Sequence, residues 1–116
     1  MDKNRRNKKP LVYIAGPYTL GDTIMNVRRT ISVAEELIKL NFIPYVPHLT
    51  HFWHFIFPHN ATFWYDYDLH ILKRCDALLR LRGESKGADQ EVTFAIENKI
   101  PVFFSIEELM KLEKVR

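Results

Sequence analysis

Apolar residues in this chain come as short runs set between longer amphipathic stretches. Leu11-Val12-Tyr13-Ile14-Ala15 is nearly continuous and stops at Gly16-Pro17, which reads as a strand buried on both faces and running into a loop. Asp22 or Thr23 can cap a helix after that loop, in which Ile24, Val27, Ile31, Ala34 and Ile38 recur at steps of three, four, three and four. That spacing predicts a helix with those five residues turned to the core, and Asn41 is a residue suited to a left-handed stop. Phe42 to Val46 reads as a second strand, placed at a sheet edge because Pro44 has no N–H for a ladder. Residues 47–62 are rich in His and aromatics and show no regular period.

Periodicity returns further on. Trp64, Asp68, Ile71, Leu72 and Cys75 share one face of a helix predicted over 62–74. Ala77 to Leu81 is a third strand, residues 87–98 a third helix, and Pro101 to Phe104 a fourth strand. Ser105 with Glu108 forms a capping box for a terminal helix. Strands alternating with helices define an α/β fold: a flavodoxin-like or Rossmann-like three-layer sandwich, with a parallel sheet of four to five strands in order 2-1-3-4. In that order the topological switch lies between strands 1 and 3, so the loops over 16–22 and 82–89 face one another where ligands bind.

Composition narrows the class. The chain has 116 residues, enough for a single domain with a real core, and its 47% hydrophobic and 27% charged content is that of a globular protein. No apolar run is long enough to span a bilayer, and the N-terminus has no apolar segment of a secretory signal. A single cysteine, Cys75, excludes an internal disulfide and suits a reducing, cytoplasmic setting. The net charge of +3 is uneven: Lys3, Arg5, Arg6, Lys8 and Lys9 against Asp2 give residues 1–9 a charge of +4 and leave the remainder at −1. We therefore read 1–9 as a basic flexible arm and 10–116 as one domain. Such an arm can touch nucleic acid, but more often it only solubilises, and a nucleic-acid partner is not expected.

Candidate chemistry sits at the switch point. Gly83-Glu84-Ser85-Lys86-Gly87-Ala88-Asp89-Gln90-Glu91 passes from strand to glycine-containing loop to helix, an arrangement whose free N–H groups and positive dipole end suit a phosphate or sugar. The same dipole is expected to keep Glu91 ionised, as a nucleophile requires. The plainer alternative is a solvated loop with a surface Glu. Asp68 shares an apolar stripe, where a carboxylate is costly unless paired or used; a buried hydrogen-bond partner of structure alone is the competing reading. Two carboxylates facing a sugar meet the needs of N-glycosidic cleavage, one attacking the anomeric carbon and one serving proton transfer. His48, His51 and His54 are spaced by three, but no cysteine or carboxylate completes a metal set, so neither metal nor cofactor is expected. Phe52, Trp53, Phe55 and Phe57 beside them suit either base stacking or, preferably, a subunit interface.

Val12-Tyr13-Ile14-Ala15-Gly16, Tyr67-Asp68-Leu69 and Ser85-Lys86-Gly87 with Glu91 and Ala95 resemble, in order and spacing, the nucleoside 2-deoxyribosyltransferase family, whose superfamily includes deoxynucleoside 5′-monophosphate N-glycosidases. The resemblance runs from strand 1 to strand 4. It implies Glu91 as nucleophile, Asp68 as the aspartate that contacts the base and assists proton transfer, and Tyr13 as the residue orienting Glu91. It also implies Gly16, Pro17, Tyr18, Ser85 and Gly87 as substrate-binding. Transferases acting on free nucleosides have an aspartate at the Ser85 position, whereas the nucleotide hydrolases have serine. A serine hydroxyl donates to a phosphate that an aspartate repels. Val92 stands where a small residue is usual, and the first loop lacks an arginine found in some nucleotide hydrolases. Arg28, Arg29, Arg82 and Lys86 are left as candidate cations.

The resemblance implies cleavage or transfer of an N-glycosidic bond in a nucleoside or nucleoside 5′-monophosphate, hydrolysis of a nucleotide being favoured, in a homodimer or larger homo-oligomer. The competing readings are a nucleotide-binding sensor that has lost turnover and a nucleoside deoxyribosyltransferase.

Overall fold

The computed structural model describes residues 9–115; residues 1–8 of the basic arm lie outside the described residues. Its strands are β1 (Leu11–Ala15), β2 (Ile43–Tyr45), β3 (Ala77–Arg80) and β4 (Val102–Phe103). Its helices are α1 (Thr23–Lys39), α2 (Thr50–Ile56), α3 (Ala61–Leu72), α4 (Lys86–Glu97) and α5 (Ile106–Val115), with a 3₁₀ turn at Pro47–Leu49 before α2. All strand pairs are parallel and the sheet order is β2-β1-β3-β4, a flavodoxin-like arrangement with β1 and β3 at its centre. Pro44 lies on an edge strand, where its missing N–H costs no ladder bond.

The period-two alternation of β1 assigns each side chain to a layer. Val12 and Ile14 face α1 and α5, packing with Ala34, Leu37 and Leu109. Tyr13 and Ala15 face α3 and α4, packing with Leu72, Ala88 and Ala95. This parity places Tyr13 in the same layer as the helices that carry Asp68 and Glu91.

Caps set the helix starts. Asp22 accepts from Met25 N–H at 3.1 Å, Asn60 from Phe63 N–H at 2.8 Å, and Ser105 from Glu108 N–H at 3.1 Å, while Glu108 reaches back to Phe104 N–H. Asn41 takes φ +70, the left-handed stop its type suggests.

Two expectations are corrected. Of the five α1 residues expected in the core only Ala34 is buried: it shares its face with Thr30 and Leu37, with Val33 beside them, while Val27 is half-buried and Ile24, Ile31 and Ile38 are 67%, 39% and 51% exposed. A step-of-seven isoleucine row fitted the helical period equally well, and only packing on the sheet chose between the two faces. Residues 47–62 are also more regular than their composition indicates. Trp53 and His54 of α2 meet Trp64 on α3, and Trp64 Nε1–H donates to His54 Nδ1 at 2.8 Å, so tertiary contact sustains a seven-residue helix too short to stand alone. Among the described residues no helix is long and apolar enough to cross a membrane.

Candidate active site

Four segments converge at the carboxyl ends of the central strands. Gly16 and Tyr18 come from the loop after β1, and Pro47, His48 and Thr50 from the segment after β2. Asp68 comes from α3, and Ser85, Gly87, Ala88 and Glu91 from the start of α4; together they line an open cavity of about 150 Å³. It lies at the switch between β1 and β3, where the topology places a ligand.

The two carboxylates are held by a matched pair of tyrosines. Tyr13 on β1 and Tyr45 on β2 are direct register partners, with ring centroids 5.5 Å apart. Tyr13 Oη–H donates to Glu91 Oε2 at 2.5 Å, and Tyr45 Oη–H donates to Asp68 Oδ1 at 3.2 Å. Parallel pairing therefore fixes both phenols side by side, each aimed at one carboxylate. Burial pushes both phenols above the ordinary tyrosine value, so they stay protonated and remain donors.

Burial also raises Glu91 to about 7, with Asp68 adding to the rise and the Tyr13 hydrogen bond and Arg80 opposing it. Asp68, buried on α3, is raised by desolvation to about 7 against the opposing Tyr45 bond. The helix dipole does not govern Glu91. The residue stands in the second turn of α4, beyond the first-turn reach of the dipole, and desolvation outweighs it.

Ser85 is the N-cap of α4: its Oγ accepts from Ala88 N–H at 3.0 Å, leaving its own O–H free to donate into the cavity it lines. The loop before it is pinned by arginines. Arg80 donates to the carbonyls of Leu81 and Gly83 and pairs with Asp89 at 2.8 Å, while Arg29 donates to Arg82 O at 2.9 Å. None of Arg28, Arg29, Arg82 and Lys86 lines the cavity. Gly83 has φ +115, and a Cβ there would sit 2.6 Å from Pro17 Cγ, so only glycine lets the two loops close on each other.

Pro17 is the one expected substrate-side residue that does not line the cavity. It is buried and works through its carbonyl, which accepts from His48 Nε2 at 2.9 Å. That bond puts the proton on Nε2 and leaves Nδ1 as an acceptor without a protein partner; burial lowers the His48 pKa and keeps the ring neutral. The other histidines of residues 47–62 are engaged in packing: His51 bonds Tyr18 Oη and stacks on Phe55, His54 accepts from Trp64 and from His59 N–H, and His59 stacks on Phe63.

Tyr45, Pro47, His48, Thr50 and Ala88 are the site residues to which sequence reasoning gave no catalytic or binding role. The edge-strand assignment carried a signal for Tyr45, since a tyrosine aligned with Tyr13 in a neighbouring parallel strand shares its face. Nothing local marked Thr50.

A parallel α/β domain with two tyrosine-held carboxylates at its switch point is thus the class that fold and site define. Within it, the chain belongs to the family described as a domain of unknown function, DUF7768, whose model matches residues 10–105. No curated protein sequence matches the chain. Among solved structures, the fold is similar to that of a 2-deoxyribosyltransferase from the psychrotolerant bacterium Bacillus psychrosaccharolyticus, with TM-score 0.61 and 18% identity over 79% of this chain and 69% of that one.

Proposed function

We propose that this protein cleaves the N-glycosidic bond of a nucleoside 5′-monophosphate or nucleoside, with Glu91 as nucleophile and Asp68 as general acid. The observation that carries this reading is the pairing of Tyr13 with Glu91 and Tyr45 with Asp68 around one cavity. Similarity of fold to a 2-deoxyribosyltransferase and the sequence resemblance to that family support it.

In the working state the pair holds one proton, on Asp68. Tyr13 engages Glu91 Oε2, leaving Oε1 free to attack C1′. The C1′–N bond breaks as the C1′–O bond forms, the electron pair departs with the base nitrogen, and Asp68 delivers the proton that neutralises it. Asp68, now ionised, takes a proton from water as that water attacks C1′. The bond to Glu91 breaks, releasing the sugar and restoring both groups. A second base in place of water makes the same sequence a transfer.

Ser85 favours a nucleotide: its hydroxyl and the first N–H groups of α4 suit a 5′-phosphate. Ligand pockets usually exceed about 300 Å³, so this cavity has room for part of a nucleotide, the remainder lying towards its open side.

The test is chromatographic detection of free base from a panel of ribo- and deoxyribonucleoside 5′-monophosphates and nucleosides, with and without an acceptor base. Base release that Glu91→Ala abolishes, in a variant with unchanged circular dichroism, is the expected result. Turnover retained by Glu91→Ala refutes the assignment, and nucleotide binding with no release across the panel points to a sensor.

A further inference from the structure

The isoleucines that α1 turns away from the core form a seam of their own. Ile24, Ile31 and Ile38 are spaced by seven, close to two turns of a helix at about 3.6 residues per turn, and all three are exposed. They therefore make one straight apolar row along nearly the whole of α1. Arg29, elsewhere on the helix circumference, reaches the loop after β3, which places the isoleucine row on the flank turned away from the sheet centre. A row of this length on a soluble surface marks a contact, and its seven-residue repeat is the repeat of helix-on-helix pairing.

The charges beside the row specify what pairs with it. Arg28 and Glu35 lie four positions after Ile24 and Ile31 respectively, so they stand on the same side of the seam, and both are exposed. In two copies of α1 laid antiparallel about a two-fold axis at Ile31, that residue meets itself and Ile24 meets the second copy's Ile38. Arg28 then lies beside the second copy's Glu35, and this pairing occurs twice by symmetry. A parallel pairing would instead set the charges of the two copies on opposite sides of the seam, with no Arg28–Glu35 contact. We infer that this flank of α1 is an isologous dimer interface, occupied by α1 of a second copy running antiparallel, with two Arg28–Glu35 pairs setting the direction. The inference stands independently of the catalytic reading, since none of these residues lines the cavity.

Light scattering on the gel-filtered full chain, from micromolar to millimolar concentration, tests it. The wild type is expected to run as a dimer. Arg28→Glu or Glu35→Arg alone sets like charges against each other and should weaken the dimer about tenfold or more. The double variant, with the charges exchanged, should restore it. Ile31→Arg should give a monomer, and because all these positions are exposed, circular dichroism and melting temperature report whether each variant remains folded. A wild type monomeric throughout the range overturns the proposal. So does a dimer indifferent to the single charge reversals, or a double variant as weak as the singles. A dimer dissolved by Phe55→Ser but not by Ile31→Arg assigns association to the aromatic face of α2 and likewise overturns it.

Discussion

Tyr13 and Tyr45 do the same physical work on different carboxylates, and this makes them separable by experiment. Each stabilises the ionised form of its partner by donating to it, so removing the hydroxyl raises that partner's pKa. In the proposed mechanism Glu91 acts ionised and Asp68 protonated, so the kcat/KM profile should be a bell near neutral pH, with Glu91 on the acidic limb and Asp68 on the alkaline limb. Tyr13→Phe should move the acidic limb to higher pH and lower kcat/KM by about 10–100-fold, the worth of a hydrogen bond to a charged group. Tyr45→Phe should move the alkaline limb upward instead. A pH series on the two variants checks both. Identical shifts in the two would show that the tyrosines serve packing alone.

At the scale of elements, the start of α4 combines a structural duty with the binding one proposed for it. Ser85 caps the helix, and its loss to alanine should cost about 1 kcal/mol in chemical denaturation. Aspartate caps as well as serine does but carries a negative charge. Ser85→Asp should therefore keep the melting temperature within a degree or two while lowering kcat/KM for a monophosphate about tenfold or more relative to the free nucleoside. Steady-state kinetics on the matched pair of substrates checks the split; equal losses on both would remove Ser85 from phosphate recognition. The converse case is α2. It has no buried residue and is shorter than an isolated helix can sustain, yet it is held by Trp53 and His54 against Trp64 and by His51 against Tyr18.

For the whole molecule, the cost of the site shows in stability against pH. Carboxylates titrate near 4 when unfolded, whereas Asp68 and Glu91 titrate at about 7 in the folded chain. Between those values the folded state holds more protons than the unfolded one, so stability falls as pH rises and levels off above the folded pKa. Asp68→Asn keeps an acceptor for Tyr45 and removes the buried charge. It should stabilise the protein by about 1–3 kcal/mol at pH 8 and by almost nothing near pH 4, where Asp68 is already neutral. Thermal melts of the two proteins at both pH values check this; a gain independent of pH would mean that the charge is not what the fold opposes.

The sequence by itself determined what depends on local order and on type. Alternating apolar runs and amphipathic stretches, read with Gly16-Pro17, Pro44 and Asn41, specified four strands and their parallel order, because a strand that must be covered on both faces has few ways to be placed. Chemistry singled out Glu91 and Asp68, which line one cavity in the structure, since a carboxylate on an apolar stripe, or just after a glycine loop, stands out against its neighbours. Tertiary structure alone decided which face of α1 is buried, because Thr30-Ala34-Leu37 and Ile24-Ile31-Ile38 both satisfy the helical period, and only fit against β1 and β2 separates them. It alone decided the partnership of Tyr13 with Tyr45, which are 32 positions apart and joined by strand register. Tertiary structure decided the protonation of the site as well: how far a carboxylate is removed from water depends on every segment that closes over it, and no single segment carries that quantity.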